Sequence, residues 1–177
     1  MVAAFSIWGC IFDLKGVGVR KDMGSKKTCK ERGEWAELCF MARAADRGLN
    51  VSRPHGDSAS YDVGVEQNGR FLRIQVKSTT FCRKGSYTSN ITGPKHERYA
   101  RGKVDFFAVY LVPVDVWYII PFDVVEGNLS LNLTPRKGHK FAQYMEGWNL
   151  LRGAEKKAGK KAARGGLPGE TVEPVIA

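Results

Sequence analysis

The dipeptide Asn68-Gly69 constrains the fold of this chain more than any other short segment, because strand-forming residues precede and follow it. Asn-Gly is a preferred loop of two-residue β-hairpins, since a type I′ turn requires positive φ at both central positions. Counting outward from this loop places Asp62 directly opposite Gln75. The sequence therefore predicts an antiparallel hairpin over residues 61–78 with a defined register.

The register also sorts the hairpin side chains onto two faces, because alternate residues of a strand point to opposite sides of a sheet. The apolar face, which suits a core, contains Val63, Val65, Leu72, Ile74 and Val76. The polar face contains Asp62, Arg73, Gln75 and Lys77. Directly opposed residues have Cβ atoms about 4.5–5.5 Å apart. Asp62 and Gln75 are therefore expected to lie close enough to share one metal ion.

Further elements follow from local patterns. Thr28 and Glu31 form a capping-box pattern, and Gly48 suits the residue after a helix, which together predict a helix over residues 29–47. The apolar stripe of this helix is expected at Trp35, Leu38, Cys39, Ala42 and Ala45. The other predicted elements are strands over residues 49–53, 104–112 and 116–122, and an amphipathic helix over residues 139–151.

The length of 177 residues fits one domain that can bury a core without disulfides or zinc. We predict a folded domain at 26–152 and a disordered basic tail at 153–177. Residues 1–25 are predicted to be an N-terminal extension, which is either poorly ordered or the result of a misassigned start, with the true start at Met23. The four cysteines lack CxxC spacing, which favours a reducing cytoplasmic location. The apolar residues 1–12 are shorter than a membrane span of about 20 residues and lack a basic signal-peptide start, so no membrane association is expected.

The net charge of +10 predicts a polyanionic partner, and nucleic acid is the commonest one. Part of this charge belongs to the tail, where a solubilising role explains it equally well. The connector over residues 79–103 is predicted to be a long functional loop with at most a short helix. Its basic residues, all candidates for DNA contacts, are Arg83, Lys84, Lys95, Arg98, Arg101 and Lys103. Arg53 and Arg73 are further candidates, although a structural bond suits Arg53 equally, and Tyr87 and Tyr99 suit either base stacking or a loop cover.

Four short segments stand in a characteristic order. They are Arg32-Gly33-Glu34-Trp35-Ala36-Glu37 on the first helix, Gly56-Asp57 in a turn, Tyr61-Asp62-Val63 on a strand and Arg73-Ile74-Gln75-Val76-Lys77 on the next strand. Together they resemble the PD-(D/E)XK nuclease superfamily. The Gln-Val-Lys ending and the segments 105–110, 116–121 and 148–151 resemble its PD-(D/Q)XK group, associated with group I intron homing endonucleases. The resemblance implies a restriction-endonuclease-like α/β fold, with a central mixed β-sheet flanked by α-helices and a basic cleft over one face.

The resemblance further implies metal-dependent hydrolysis of phosphodiester bonds in double-stranded DNA. Asp62 would be the principal ligand of Mg²⁺, for which Mn²⁺ can substitute, with the side-chain carbonyl of Gln75 and the backbone carbonyl of Val76 as further ligands. Lys77 would position the attacking water or stabilise the developing negative charge. Glu37 would bind the same ion or a second one. Cutting both strands implies two such centres, and hence a homodimer or a homotetramer.

Several alternatives stay open at this point. Glu34 competes with Glu37 for its role. Gln75 stands where most of the superfamily has an acid, so the site is either an active variant in which Glu37 supplies the missing carboxylate, or a decayed site in a protein that only binds nucleic acid. A nuclease resembling Holliday-junction resolvases, selective for branched DNA, is a further possibility. The non-functional alternative is a plain surface ion pair between Asp62 and Lys77.

Overall fold

The computed structural model describes residues 28–56, 58–93 and 96–152. Its elements are helices α1 (Cys29–Asp46) and α2 (Phe122–Val125), strands β1 (Asn50–Ser52), β2 (Val63–Gln67), β3 (Arg70–Thr79), β4 (Cys82–Arg83), β5 (Ser86–Asn90), β6 (Phe106–Leu111), β7 (Val116–Pro121) and β8 (Ser130–Leu133), and short 3₁₀ helices at Val112–Val114, Ala142–Tyr144 and Trp148–Arg152. The predictions for residues 1–25 and 153–177 lie outside the described residues, as do Asp57 and Lys95. Within the described part of the chain, no helix is long and apolar enough to cross a membrane.

Helix α1 begins where the capping box predicts. The Thr28 hydroxyl accepts a hydrogen bond from the Glu31 N–H at 3.2 Å, and the Glu31 carboxylate accepts one from the Thr28 N–H at 2.6 Å. The helix buries Ala36, Phe40 and Ala44. The predicted apolar stripe is therefore wrong, because the buried face of the helix is rotated by about one residue from the predicted one. The small side chains of the two alanines let the helix approach the sheet closely.

The central sheet is mixed and has the strand order β1-β2-β3-β6-β7. Strands β3 and β6 are parallel, and all other neighbours are antiparallel. The β2–β3 hairpin has the predicted register, with Val63 opposite Ile74. Asn68 and Gly69 have φ values of 53° and 71°, as a type I′ turn requires. The hairpin prediction is confirmed.

One face of this sheet packs against α1 and the C-terminal segment. The apolar face of the hairpin lies there as predicted, together with Phe40, Trp117 and Trp148. The Phe40 ring stacks on Trp148 with 5.4 Å between centroids and meets Trp117 edge-on at 5.6 Å. This aromatic cluster holds α1 over the sheet, and so determines where the polar residues of the helix lie relative to the hairpin.

The other face of the sheet is covered in part by a second sheet with the order β4-β5-β8. The prediction of a long loop over residues 79–103 is therefore wrong at residues 82–90, which form a hairpin. Its partner β8 comes from a distant part of the chain, which a local pattern does not reveal. The residues packed on this side include Tyr87, Ile91, Phe107, Phe122, Leu131 and Leu133. Because Tyr87 is buried, it is not available to stack on bases.

The predicted helix over residues 139–151 is wrong. Two short 3₁₀ helices stand in its place, and Glu146 lies between them with a left-handed φ of 52°. The Glu146 carboxylate accepts hydrogen bonds from the Trp117 N–H at 2.8 Å and the Trp148 indole N–H at 2.7 Å. The Glu146 N–H also donates to the Trp117 carbonyl at 2.8 Å. These bonds fasten the segment along the outer edge of β7, which a continuous helix could not do.

Candidate active site

A cleft of about 610 Å³ lies between the β2–β3 hairpin and the segment over residues 92–103. Asp62, Gln75 and Lys77 line it from the hairpin. The remaining lining residues are Ser58, Ala59, Ser60, Thr92, Gly93, Glu97, Arg98, Tyr99, Ala100 and Lys103. The structure thus brings the acid, the amide and the lysine of the sequence motif to one cleft.

Asp62 lies immediately before β2 and continues the hairpin, since its N–H donates to the Ile74 carbonyl at 3.0 Å. Its Oδ2 atom accepts a hydrogen bond from the Val76 N–H at 2.8 Å and a second one from the side-chain amide of Gln75. Within the described residues, no donor lies on its Oδ1 atom. The carboxylate is therefore held from one side by β3 while one oxygen is left for a further ligand.

Gln75 is buried in the sheet and presents its amide nitrogen to Asp62. The predicted metal contact of Gln75 uses the opposite end of the amide, its carbonyl oxygen. A half-turn of the terminal torsion exchanges these two ends. The Val76 contact with Asp62 is likewise made by the N–H, whereas the predicted ligand is the Val76 carbonyl. The register prediction thus holds, and the ligand roles of these two residues stay predictions.

Glu37 projects from α1, and its side chain is only 17% exposed. Its carboxylate accepts a hydrogen bond from Arg53 Nη2 at 3.0 Å. Burial raises the pKa of Glu37, and the negative charge of Asp62 raises it further, while Arg53 lowers it. Glu34 is exposed and affects Glu37 only as a neighbouring charge. The charges of both Asp62 and Lys77 act on the pKa of Glu37, which places Glu37 near them.

Burial acts on Asp62 in the same direction. Burial raises the pKa of Asp62, and the Val76 N–H, Lys77 and the Gln75 amide offset this effect in part. Two partly desolvated carboxylates, one of which disfavours the ionisation of the other, form a site where a cation is attracted.

Lys77 lies two residues beyond Gln75 on the same side of β3 and is partly buried. Burial lowers the pKa of Lys77, while the charges of Asp62 and Glu37 counteract this change. In the described part of the chain, Lys77 forms no ion pair. The plain surface ion pair with Asp62 is therefore not what the structure contains. The ammonium faces the cleft near two acids without being bound by either.

The donor set of the cleft fits a hard divalent cation. Mg²⁺ takes oxygen ligands and is usually held by one or two carboxylates together with waters and substrate phosphates. Asp62 and Glu37 supply two carboxylates of this kind. The described residues contain no group of three His, Cys, Asp or Glu side chains that could hold a metal by themselves. The arrangement suits an ion that completes its coordination with oxygens of a bound substrate.

Two of the predicted DNA-binding residues, Arg73 and Arg101, are bound to other residues of the protein. Arg73 is engaged within the fold, because its Nε donates to Asp105 Oδ2 at 2.9 Å and its Nη1 contacts the Gly102 carbonyl. Arg101 pairs with Glu126 at 2.5 Å and with Asp123 at 3.2 Å. The guanidinium groups of these two residues are thus occupied in the described structure.

The other basic residues are more accessible. Arg98 and Lys103 line the cleft itself. Arg83 and Lys84 are exposed at the turn of the β4–β5 hairpin. Arg53 is bound to Glu37 but is about half exposed. Arg98, Lys103 and Arg53 therefore lie closest to the candidate chemistry.

Two side chains of the cleft that could interact with a charged group were not predicted as site residues, although Tyr99 was considered for base stacking. Glu97 and Tyr99 line the cleft from the connector, and Tyr99 meets the ring of Phe107 edge-on at 5.5 Å. The available signal was that the connector leaves directly from the strand that carries Lys77. The sequence did not indicate which connector residues return to the cleft, because the intervening β4–β5 hairpin decides that.

A mixed sheet with a carboxylate, a glutamine and a lysine converging on one cleft, and a helix-borne glutamate beside them, defines a nuclease-type hydrolase. The model of the PD-(D/E)XK endonuclease family matches residues 27–151. This chain belongs to the PD-(D/E)XK endonuclease family, as the sequence motifs predicted.

Among solved structures, the chain is similar to the bacterial homing endonuclease I-Ssp6803I, with 28% sequence identity and a TM-score of 0.59. The match covers 71% of this chain and 91% of that chain. A comparison with curated proteins gives no significant match. The restriction-endonuclease-like α/β fold is therefore confirmed. It differs from the predicted sheet flanked by helices in one respect, since α1 is the one long helix among the described residues and α2 has a single turn.

Proposed function

We propose that this protein is a Mg²⁺-dependent DNA endonuclease of the homing type, which cleaves both strands of a duplex and accepts Mn²⁺ in place of Mg²⁺. The observation that carries the proposal is the desolvated Asp62 carboxylate, oriented by β3 with one free oxygen, beside Gln75 and Lys77 in one cleft. The likeness to a bacterial homing endonuclease supports the homing type. The cytoplasmic location stays a prediction from the cysteine pattern.

Asp62 and Glu37 are the residues that would hold the ion, with the side-chain oxygen of Gln75 and the Val76 carbonyl as additional ligands. A bound divalent ion lowers the pKa of a water and polarises a phosphate oxygen. The chain's own contribution is to fix Asp62 through the Val76 N–H and to exclude water from one side of its carboxylate. The negative charge of Asp62 is therefore already oriented toward the cleft before the substrate binds.

Lys77 acts on the attacking water and on the scissile phosphate. Burial lowers the pKa of Lys77, so its ammonium releases the proton at Nζ more readily than that of an exposed lysine. When a water attacks phosphorus, negative charge grows on the phosphate oxygens. A nearby ammonium stabilises that charge as the reaction proceeds.

Arg53 links DNA binding to the formation of the metal site. In the free protein, its guanidinium neutralises Glu37 at 3.0 Å. A DNA phosphate competes for this guanidinium, since Arg binds phosphate and carboxylate through the same hydrogen-bond geometry. Transfer of Arg53 to the backbone of DNA releases Glu37 for the ion. This exchange accommodates both interpretations of Arg53, as a structural partner and as a phosphate contact.

Gln75 contributes no charge, so the site depends on Glu37 for its second carboxylate. Burial raises the pKa of both acids, and the charge of Asp62 raises that of Glu37 further, which supports this active-variant interpretation. In a decayed site, we would expect no selective reason for two partly buried acids near each other.

Cleavage assays with Asp62→Asn test the proposal. We expect the wild type to cut duplex DNA in Mg²⁺ or Mn²⁺ and not in EDTA, and Asp62→Asn to lose at least about 100-fold in rate, the scale seen when one essential electrostatic group is removed. DNA affinity measured in Ca²⁺ should be unchanged. Asp46→Asn, at an exposed residue of α1, is the matched control and should cut normally.

Two outcomes would contradict this proposal. Binding of DNA without cleavage at any divalent ion would identify a protein that only binds nucleic acid. Cleavage confined to branched substrates, with linear duplexes left intact, would identify a resolvase-like nuclease instead. The genomic region that flanks the gene supplies the first linear substrates to be tried.

A further inference from the structure

Tyr99 lies at the candidate site, although the cleavage mechanism proposed above gives it no role. Its ring lines the cleft beside Asp62 and Lys77. The Lys77 Nζ atom lies 5.8 Å from the centroid of this ring. That distance falls within the range of about 6 Å over which an aromatic face attracts a cation.

The ring of Tyr99 is held in place by Phe107. It meets the Phe107 ring edge-on, with 5.5 Å between centroids and an interplanar angle of 72°. Phe107 lies on β6 directly beside Gln75 of β3. Gly93 is a neighbour of the same ring, since a Cβ added there would lie in ordinary contact with it at 3.7 Å. The Gly93 N–H donates to the Glu97 carbonyl at 2.8 Å and closes this part of the connector.

Lys77, by contrast, has no anionic partner that fixes it within the described residues. Its ammonium stands at the end of a flexible four-carbon chain with substantial rotamer entropy. A lysine that acts on a water or a phosphate must be held within a fraction of an ångström of its productive position. The contact with Tyr99 is the one that the described structure provides for the ammonium.

We propose that Tyr99 is a positioning residue, whose aromatic face holds the ammonium of Lys77 over the cleft beside Asp62 for the cleavage step. The proposal rests on the endonuclease function proposed above. It assigns the effect to the ring and not to the hydroxyl, because a cation is attracted by the ring face. It also assigns Tyr99 to the chemical step and not to DNA binding.

Base stacking is the competing role for this residue. A tyrosine that stacks on a base contributes to affinity, at about 1–3 kcal/mol per base. The edge contact with Phe107 and the contact with Lys77 engage the Tyr99 ring within the protein. The two roles are therefore distinguished by whether loss of the ring changes DNA affinity or the rate of cleavage.

The first experiment tests the contact without using activity. The protein is labelled with ¹³C at the lysine Cε positions, and the Lys77 signal is assigned by its loss in Lys77→Met. We expect an upfield ring-current shift of the Lys77 Cε protons in the wild type, which persists in Tyr99→Phe and disappears in Tyr99→Leu. A Lys77 signal that is identical in all three proteins would overturn the proposal.

The second experiment compares single-turnover cleavage and DNA affinity in the same variants, after thermal unfolding has verified that each is folded. Tyr99→Phe should cut at nearly the wild-type rate, whereas Tyr99→Leu should cut roughly fivefold to tenfold more slowly with unchanged Kd in Ca²⁺. Equal loss in both variants, or a weaker Kd in Tyr99→Leu, would overturn the proposal. A wild type that does not cut would reject the endonuclease function, while the ring-current experiment would still judge the contact.

Discussion

At the scale of single residues, the ionised Asp62 lowers the stability of the folded protein, because its carboxylate is partly buried in the cleft. Burial raises the pKa of its carboxyl group, so the ionised form is less favourable in the folded protein than in the unfolded chain. The hydrogen bond from Val76 reduces this cost without removing it. A side chain that is retained in such a position is typical of an active site, where function and stability compete.

The raised pKa of Asp62 predicts a pH-dependent stability difference between the wild type and Asp62→Asn. At neutral pH, both the folded and unfolded chains have an ionised Asp62, and the folded protein bears the penalty. As the pH falls through the raised folded pKa, Asp62 becomes protonated in the folded state first, and the penalty disappears. Asp62→Asn should therefore be more stable than the wild type at pH 7 in EDTA, and this advantage should shrink toward pH 4.

Thermal unfolding between pH 7 and pH 4 measures this difference, with about 2–4 °C in Tm for each kcal/mol in a chain of this size. Asp46→Asn, which removes an exposed acid from α1, should show no comparable gap. A lower Tm of Asp62→Asn at pH 7 would mean that the carboxylate is a net structural asset. Added Mg²⁺ should raise the Tm of the wild type and leave that of Asp62→Asn unchanged, because a ligand of the folded state stabilises it.

At the scale of elements, the rotation of α1 decides what faces the hairpin. The sequence pattern predicted an apolar stripe through Leu38, yet Leu38 is 56% exposed. Phe40 is fully buried because Trp117 and Trp148, which come from distant segments, surround it. This rotation turns Glu37 toward Arg53 and brings it within the influence of the charges of Asp62 and Lys77. Helical periodicity alone selected the wrong face, since the aromatic partners of Phe40 are not local.

The Glu146 carboxylate makes two of the hydrogen bonds that attach the C-terminal segment to β7 and to Trp148. Glu146→Ala would leave the Trp117 N–H and the Trp148 indole N–H without their acceptor, and a buried unsatisfied donor costs about 1–3 kcal/mol. We expect a loss of about 2–4 kcal/mol in the free energy of unfolding, measured by urea denaturation. Glu146→Gln should lose less, because it keeps one acceptor oxygen.

Glu66→Ala is the matched control for this prediction, since Glu66 is an exposed acid on β2. It should change the free energy of unfolding by no more than about 0.5 kcal/mol, as surface substitutions usually do. Equal stability of Glu146→Ala and the wild type would show that apolar packing of Trp148 and Leu151 holds the segment without the carboxylate.

At the scale of the whole molecule, the described residues of one chain form one cleft that contains Asp62, Gln75 and Lys77, and such a cleft faces one phosphate at a time. Double-strand cleavage therefore requires two chains acting together. We predict a homodimer or a homotetramer on duplex DNA, to be measured by analytical ultracentrifugation in Ca²⁺ with the inactive Asp62→Asn variant. Exclusively monomeric complexes would leave nicking of one strand as the activity.

The sequence by itself determined the hairpin, its register and the convergence of Asp62, Gln75 and Lys77. These features depend on a two-residue turn and on the alternation of side chains, which are local properties. The capping box likewise placed the start of α1 correctly, because its two hydrogen bonds join residues three positions apart.

Only the tertiary structure decided the remaining features of the site. The connector became the β4–β5 hairpin because β8 pairs with it across a long separation in sequence. The segment after residue 139 does not form a continuous helix, because Glu146 and Met145 pair with Trp117 and Tyr118 at the edge of β7. Arg73 and Arg101 were committed to Asp105, Asp123 and Glu126, and Tyr99 was brought to Lys77. All of these outcomes depend on contacts between distant segments, which no local pattern of residues encodes.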